Sequence, residues 1–145
     1  MKSHIKILIL NWNGQELLKS CIDSVLNIDY HNYSVMVIDN GSTDGSVNML
    51  NANYPNVECM ILDKNYGFSS GYNQCFNKLD NDQNNFVMLL NNDTVVDKNI
   101  LNSFNDARVK YGNDHIYGGK IYYHNDRDKI WYAGGYYNLK WFYIA

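Results

Sequence analysis

The sequence has few of the features that stabilise small secreted proteins. It contains three cysteines in 145 residues, and none belongs to a C-x-x-C pair. Neither a disulfide framework nor a zinc site is therefore indicated. A chain of this length buries roughly two-thirds of its unfolded surface in one domain, so it does not need disulfides for stability. We expect one domain in which Cys21, Cys59 and Cys75 are small buried residues, in a reducing compartment.

Long apolar runs and basic blocks are also missing. The first ten residues contain only the short apolar run 7–10, and no stretch approaches the roughly 18 apolar residues of a membrane span. The 12 Lys and Arg residues are scattered and the net charge is -3. No segment is therefore suited to follow a nucleic-acid backbone. These absences predict a cytoplasmic protein without a nucleic-acid partner. If the protein lies at the inner face of the membrane, we expect segments outside this sequence to hold it there.

Apolar segments of two kinds alternate through residues 1–112. Short, nearly continuous apolar runs predict buried strands at 5–10, 35–38, 57–62 and 86–90. Segments with helical periodicity follow them at 17–26, 45–53, 68–79 and 100–111. Asp97 is a candidate N-cap of the last helix, and Gly112 is its candidate C-cap. Strand and helix alternation with short links predicts an α/β, Rossmann-like, doubly wound and mostly parallel sheet.

Residues 113–145 have a different character. Aromatic and β-prone residues, mainly tyrosine and isoleucine, recur here and are interrupted by Gly118-Gly119 and Gly134-Gly135, which predicts a strand or hairpin beside the sheet. The chain stops on the apolar run 141–145, which has no polar cap or turn. We therefore expect further sequence after Ala145. The same aromatic residues, if exposed, predict self-association, for example as a homodimer.

Polar side chains follow all four predicted strands. In an open parallel sheet, ligands bind beyond the carboxyl ends of the strands, where helix N-termini offer unpaired N–H groups to anions. Carboxylates and amides at four successive exits therefore predict one polar crevice. The segments concerned are Asn11-Trp12-Asn13, Asp39-Asn40-Gly41-Ser42-Thr43-Asp44-Gly45-Ser46, Asp63-Lys64-Asn65 and Asn91-Asn92-Asp93-Thr94.

Asp39 directly follows an apolar strand, so the sheet fixes its backbone. Its carboxylate can face the hydroxyl or imide groups of a bound nucleoside, or it can be a turn former before the next helix. Asp44 is predicted to be a helix cap. The segment does not match a Walker A loop, because Ser46-Val47 follows Gly45, nor an EF-hand or an aspartyl-phosphate phosphatase.

Asp93 is the candidate metal residue. A hard divalent cation prefers oxygen ligands, and substrate phosphates can complete its coordination shell beside a single carboxylate. Such an ion would neutralise the charge that develops on a departing diphosphate. The alternative is that residues 91–94 form a polar turn before the fourth helix.

The third helix begins with two glycines four residues apart, Gly67 and Gly71, flanked by Asn65 and Asn73. A glycine lets a ligand approach the backbone closely, but the same spacing also suits packing of a helix on a sheet. Both interpretations stay open for these glycines.

These segments, in this order, resemble the family 2 glycosyltransferases, and more closely the subgroup that includes rhamnosyltransferases. The resemblance covers nearly the whole chain. The matching segments are Ile9-Leu10-Asn11-Trp12-Asn13, Val37-Ile38-Asp39-Asn40-Gly41-Ser42-Thr43-Asp44-Gly45-Ser46, Asn65-Tyr66-Gly67-Phe68-Ser69-Ser70-Gly71-Tyr72-Asn73, Leu89-Leu90-Asn91-Asn92-Asp93-Thr94 and Ala133-Gly134-Gly135.

The resemblance implies a GT-A fold and transfer of a sugar, with inversion, from a UDP-, GDP- or dTDP-linked donor to a glycan or lipid-linked acceptor. It also implies Mg²⁺ or Mn²⁺ and a place in bacterial cell-wall or polysaccharide biosynthesis. By this resemblance Asp39 contacts the nucleoside and Asp93 holds the metal on the diphosphate. The asparagines of the third segment would border the donor pocket, and the full set of substrate-binding candidates is Asn11, Trp12, Asn13, Asp39, Asn65, Gly67, Gly71, Asn73, Asn91 and Asn92.

Two departures from the family pattern matter. Asn91 stands where the usual Asp-x-Asp metal motif has its first carboxylate, which predicts weaker metal binding. No Asp or Glu lies in a segment that matches the family's catalytic base, although Asp126 and Asp128 are present. An inverting transfer needs such a base opposite the leaving group, so we expect the base beyond Ala145 and little transfer by this chain alone. A module that binds a nucleotide or a partner without catalysis is the alternative function.

Overall fold

The computed structural model describes residues 3–76, 78–79, 85–134, 137–138 and 143–144. The chain forms two compact units, Met1–Asn105 and Asp106–Ala145. The predicted division after Gly112, between the βα core and the β-rich segment, stays a prediction. The first unit contains the sheet and all four predicted strand ends.

The first unit is built on a four-stranded parallel sheet. Its strands are β1 (His4–Asn11), β2 (Tyr33–Asp39), β3 (Glu58–Ile61) and β4 (Asn85–Asn91), in the spatial order β3-β2-β1-β4. The predicted strands and their parallel arrangement are confirmed. The strands are near-continuous apolar runs because helices cover both faces of a parallel sheet, so side chains on both faces are buried.

Helices follow the strands as the periodicity predicts. They are α1 (Gln15–Leu26), α2 (Ser46–Asn53), α3 (Phe68–Phe76) and α4 (Ile100–Tyr111). The end of α3 was predicted too late, because Leu79 lies outside the helix and its N–H bonds to the carbonyl of Phe76, three residues back. Asp97, the candidate N-cap of α4, lies three residues before its first helical residue, Ile100. The Asp97 carboxylate accepts from the N–H of Asn99, in the turn that leads into the helix.

Two hydrophobic clusters lie on opposite faces of the sheet, which confirms the doubly wound arrangement. On one face α1, α2 and the first turn of α4 pack on inward residues of β1, β2 and β4. On the other face Tyr72 and Cys75 of α3 pack on Leu8 and Ile38. Full burial of each such large apolar side chain contributes about 1.5–3 kcal/mol.

Three burial predictions need correction. The spacing of Phe68 and Phe76 puts them on one helical face with Tyr72 and Cys75, which predicts burial, but they are 60% and 39% exposed. Phe68 is the first helical residue and packs edge-on against the Tyr72 ring at 5.2 Å, so it does not reach the sheet. Cys21 and Cys75 are buried free thiols as predicted, whereas Cys59 is only half-buried.

The second unit is rich in short antiparallel pairs. Strand β5 (Ile121–Tyr123) pairs with β6 (Asp126–Tyr132), and β7 (Tyr137–Asn138) pairs with β8 (Tyr143–Ile144). The predicted β-rich character is confirmed, while Gly135 lies outside the described residues. Gly112 has a φ of 101° and donates to the carbonyl of Arg108, which confirms its role as the C-cap of α4. None of the described helices has the length and apolar character needed to cross a bilayer.

Candidate functional site

The strand order creates a switch point at the carboxyl edge of the sheet. From β1 the chain adds β2 and β3 on one side, then returns through α3 to add β4 on the other side. Register pairs Asn11 with Asp39 and Leu10 with Asn91, so the polar ends of β1, β2 and β4 lie at nearly the same level. A crevice outside the carboxyl ends at such a point is where open α/β sheets bind ligands.

Asn11 and Asp39 form the buried floor of this edge. Both have 0% exposure. The Asn11 side-chain amide donates to Asp39 Oδ1 at 3.0 Å and to Ser42 Oγ at 3.2 Å. The other carboxylate oxygen, Asp39 Oδ2, accepts from the backbone N–H of Ser42 at 2.9 Å. Each Asp39 oxygen is thus held by a neutral donor, which offsets the cost of burying the charge.

The loop after β1 is locked to the loop after β2. Asn13 has a φ of 48°, a left-handed conformation that asparagine tolerates better than most residues. Its side-chain oxygen accepts from the N–H of Thr43 at 2.7 Å, and its own N–H donates to Ser42 Oγ at 2.9 Å. Trp12, between the two asparagines, is 54% exposed. An exposed indole at a strand end is available to stack on a ligand.

Asn40 holds the segment that opens α3, a function that was not predicted from the sequence. Its side-chain nitrogen donates to Asn65 Oδ1 at 2.9 Å and to the Gly67 carbonyl at 3.1 Å. Its oxygen accepts from the N–H of Tyr66 at 2.9 Å. Asn40 is buried and directly follows Asp39 at the end of β2. This position at a strand end was the feature of the sequence that could have identified Asn40 as a site residue.

The two glycines of α3 differ in their surroundings. A Cβ at Gly71 would lie 2.8 Å from a methyl group of Leu10 and 3.2 Å from the Asn40 amide, so this glycine permits close packing of α3 on the sheet. Gly67 has a φ of 78°, and no described heavy atom lies within 4 Å of its added Cβ. Asn65 is bound by Asn40, whereas Asn73 is exposed and makes no side-chain hydrogen bond to a described residue.

A tight turn follows β4. The N–H of Thr94 donates to the carbonyl of Asn91 at 3.3 Å, which places Asn92 and Asp93 at the two central positions of the turn. The Asn92 side chain points inward and donates to Asn11 Oδ1 at 2.7 Å. Asn91 and Asp93 are exposed. Asn11, Asp39 and Asn92 are therefore brought together, although 81 residues separate Asn11 from Asn92.

The strand-end carboxylates differ in what they bind. Asp39 and Asp44 accept hydrogen bonds at both oxygens, and Asp63 accepts one from the hydroxyl of Tyr66 at 2.8 Å. Among the described residues, Asp93 makes no hydrogen bond or ion pair. Asp93 therefore combines charge, exposure and free oxygens at this edge.

A metal at this edge would have to take most of its ligands from a substrate. No cluster of three or more His, Cys, Asp or Glu side chains suited to hold an ion occurs in the described part of the chain. Asp93 would offer such an ion one exposed carboxylate, and Asn91 an exposed amide. The nearby Cys21 thiol is fully buried and donates to the Asn91 carbonyl at 3.5 Å, so it is not presented at this edge. Burial, and to a smaller extent the charge of Asp93, raises the pKa of Cys21 to about 12.

Comparison with known proteins agrees with this geometry. The family model described as Glycosyl transferase family 2 matches residues 6–145. The glycosyltransferase GlyA of Streptococcus pneumoniae serotype 4 (strain ATCC BAA-334 / TIGR4) is 25% identical over 131 residues, which is 88% of this chain and 18% of that protein. The chain thus spans less than a fifth of this relative.

Solved structures share the fold. S. aureus TarS 1-349 superposes with a TM-score of 0.64 and 17% identity, covering 74% of this chain and 33% of that one. The mannosyltransferase PcManGT from Pyrobaculum calidifontis, solved with GDP-Man and Mn²⁺, gives a TM-score of 0.60 and 15% identity, covering 72% and 32%. These likenesses show the α/β, GT-A architecture. Because the family model extends over almost the whole sequence, the chain belongs to glycosyl transferase family 2.

Proposed function

We propose that the carboxyl edge of the sheet binds a nucleoside diphosphate sugar and that Asp93 holds Mg²⁺ or Mn²⁺ on its diphosphate. The observation that carries this proposal is the contrast between Asp93 and its neighbours. Asp39, Asp44 and Asp63 are engaged by protein groups, whereas Asp93 is an exposed carboxylate without such a partner in the described chain. It lies in the turn beside the switch point of the sheet.

The chemistry assigned to this edge is donor binding for glycosyl transfer. A divalent ion at Asp93 would offset negative charge on the leaving diphosphate, with phosphate oxygens and water completing its shell. One carboxylate makes metal affinity low in the absence of nucleotide. The protein would thus take up metal and nucleotide together.

The nucleoside end of the donor is assigned to Asp39, with Trp12, Asn13 and Asn65 around it. Asp39 is enclosed by Asn11 and by the backbone of Ser42. Direct contact with a nucleoside therefore requires the loop that carries Ser42 to move away from the carboxylate. Gly67, Asn73 and Asn91 complete the proposed border of the pocket.

The names of the relatives support a nucleotide-linked donor without selecting one. PcManGT was solved with GDP-Man, and TarS 1-349 was solved with UDP-GlcNAc, the latter matching 86% of this chain with a TM-score of 0.64. We further propose that the sugar is transferred with inversion to a glycan or lipid-linked acceptor, in bacterial cell-wall or polysaccharide biosynthesis. We also propose that the protein belongs to the rhamnosyltransferase-like subgroup.

Calorimetric titration tests the donor site. UDP, GDP and dTDP are titrated into the wild-type chain and into Asp93→Ala, once with Mn²⁺ and once with EDTA. At least one nucleotide should bind more tightly with Mn²⁺, and Asp93→Ala should remove that gain, about tenfold or more in Kd.

Asp29→Ala is the matched control. It removes an exposed carboxylate at the opposite end of the sheet, between α1 and β2, and should leave nucleotide binding unchanged. Nucleotide binding of equal strength in Mn²⁺ and EDTA would contradict the metal site. It would favour a nucleotide-binding module without transferase chemistry.

A further inference from the structure

Three side chains from three strand ends form a continuous hydrogen-bonded line, which we call the amide chain. Asn92 Nδ2 donates to Asn11 Oδ1 at 2.7 Å, and Asn11 Nδ2 donates to Asp39 Oδ1 at 3.0 Å. Asn11 and Asp39 are fully buried, and Asn92 is half-buried. Water screens such a chain little, so each member must be satisfied by its protein partners.

The charge of Asp39 fixes the direction of the amide chain. A carboxylate only accepts hydrogen bonds, so Asn11 must turn its NH₂ group toward Asp39. The side-chain carbonyl oxygen of Asn11 then faces Asn92, so Asn92 must donate to it from its own NH₂ group. The carbonyl oxygen of Asn92 consequently lies on the side of its amide that faces away from Asn11. Asp39 thus sets the orientation of an amide that it does not touch.

The amide chain also anchors the turn that carries Asp93. Asn92 and Asp93 occupy the two central positions of the turn closed by Thr94 and Asn91. A side chain fixed at the first central position limits the torsional freedom of the second. The position of the Asp93 carboxylate therefore depends on the hydrogen bond between Asn92 and Asn11.

Gly14 leaves the space that the amide chain needs. A Cβ at Gly14 would clash with Asn92 Nδ2 and lie 3.2 Å from Asn11 Oδ1. The φ of Gly14 is -130°, outside the left-handed region that favours glycine. Alanine at this position would therefore carry no left-handed strain but would displace the end of the Asn92 side chain. This contact provides a way to break the chain without deleting any of its members.

We infer that Asn11 and Asn92 are positioning residues that couple the two ends of the donor site, Asp39 at the nucleoside and Asp93 at the metal. This inference rests on the proposed function. Each asparagine acts through an aspartate. A substitution in the turn after β4 therefore alters the hydrogen bonding of Asp39, and a substitution of Asp39 alters the orientation of the Asn92 side chain in the turn.

The first test uses the ligand-free chain. In ¹H–¹⁵N NMR spectra, Asp39→Asn should shift the side-chain NH₂ resonances of Asn92, because the charge that orders the amide chain is gone. Asp63→Asn, at the exit of the neighbouring strand, removes an equal charge outside the chain and should leave them in place. Unchanged Asn92 resonances in Asp39→Asn would overturn the inference whether or not a nucleotide binds.

The second test measures the coupling on UDP, GDP and dTDP by calorimetry. In EDTA, Asn92→Ala should weaken nucleotide binding about fivefold, although Asn92 lies at the metal end, because the Asn11 amide that holds Asp39 loses the donor to its own carbonyl oxygen. Asp93→Ala should not weaken metal-free binding, because without metal its carboxylate only repels the diphosphate. Gly14→Ala should weaken metal-free binding in the same direction. The double variant of Gly14→Ala and Asn92→Ala should bind like Asn92→Ala alone, because the amide nitrogen that the added methyl group displaces is then missing.

Asn51→Ala on α2, an exposed asparagine outside the amide chain, is the matched control and should match the wild type. If Asn92→Ala keeps metal-free binding within twofold of wild type while Asp93→Ala loses the metal gain, the coupling is wrong and the donor site stands. If the wild-type chain binds none of the three nucleotides, the donor site fails and the coupling of its ends fails with it. The NMR comparison then still decides whether Asp39 orders Asn92.

Discussion

Asp44 Oδ2 accepts a hydrogen bond from the backbone N–H of Gln15 at 3.0 Å, so a residue of the loop after β2 caps the helix that follows β1. Its other oxygen accepts from the N–H of Ser46 at 3.0 Å, at the start of α2. One carboxylate thus joins two helix N-termini. The capping residues themselves, Gly14 and Gly45, have no side chain to fulfil this function. The predicted capping role of Asp44 is confirmed for α2. Its hydrogen bond to Gln15 of α1 is a tertiary contact that was not predicted.

Removal of this shared cap should destabilise the fold. Asp44→Ala leaves two helix N-termini without their acceptor and should lower the free energy of unfolding by about 1–2 kcal/mol, the range for loss of an N-cap. Urea denaturation followed by circular dichroism measures the change. Asp29→Ala, which removes an exposed charge that caps no helix, should stay within about 0.5 kcal/mol of wild type.

The stabilisation by Asp44 should also depend on pH in a defined direction. Burial raises the pKa of Asp44, but the hydrogen bonds from the Ser46 hydroxyl and from the N–H groups of Gln15 and Ser46 together lower it below its ordinary value of 3.8. A depressed native pKa means that the stabilisation is full above the unfolded value and is lost as pH falls through the native one. The stability difference between wild type and Asp44→Ala should be constant from pH 7 to about 5. It should shrink below about pH 4, and a constant difference down to pH 3 would contradict this assignment.

Contact between two loops makes Gly41 irreplaceable. Gly41 has a φ of 73°, and an added Cβ would lie 2.6 Å from the backbone of Lys64, in the loop after β3. Gly41→Ala should cost about 3 kcal/mol or more, because left-handed strain and a backbone clash add together. Gly67→Ala isolates the strain, since Gly67 has a φ of 78° with open space around it in the described structure, and should cost about 1–2 kcal/mol. Equal losses for the two variants in urea denaturation would show that the Lys64 contact is unimportant.

Local pattern was sufficient to predict the frame of the first unit. Each strand of a doubly wound sheet is a short apolar run and each helix has an apolar stripe, so both can be recognised from neighbouring residues. The exits of the strands follow from the same boundaries. For this reason Asn11, Asp39 and Asn92 could be named together as members of one crevice.

The contacts within the crevice could not be predicted in this way. The bonds of Asn11 to Asp39 and to Asn92 span 28 and 81 residues, and their existence depends on which strands are neighbours. Asn40 was overlooked for the same reason, because its partners belong to the loop before α3. The exposure of Phe68 has a different cause. Periodicity gives the direction of a side chain but not whether the sheet extends beneath it.

The three thiols should react in an order set by burial. Burial raises the pKa of Cys59 to about 11, with a smaller contribution from the charge of Asp39, and raises the pKa of Cys21 to about 12. Cys75 is also buried. Alkylation by iodoacetamide at pH 7.5, followed by peptide mass spectrometry, should label Cys59 first. Labelling of Cys21 and Cys75 should require urea, because a thiolate must be both formed and reached. Faster labelling of Cys21 in the native chain would contradict its burial.

A single hydroxyl links α3 to the end of β4. Tyr72 is 2% exposed, and its hydroxyl donates to the carbonyl of Leu90 at 2.9 Å, just before the turn that carries Asp93. Tyr72→Phe keeps the ring packed against the sheet but leaves this buried carbonyl without that donor, which should cost about 1–2 kcal/mol. Tyr66→Phe is the control, since the Tyr66 hydroxyl bonds to the exposed Asp63 at 2.8 Å and water can replace it. Tyr66→Phe should therefore unfold at the same urea concentration as wild type. If both variants unfold at the same urea concentration as wild type, the Tyr72 hydroxyl does not stabilise the end of β4. The turn that carries Asp93 is then held by the hydrogen bond from Asn92 to Asn11 and not by Tyr72.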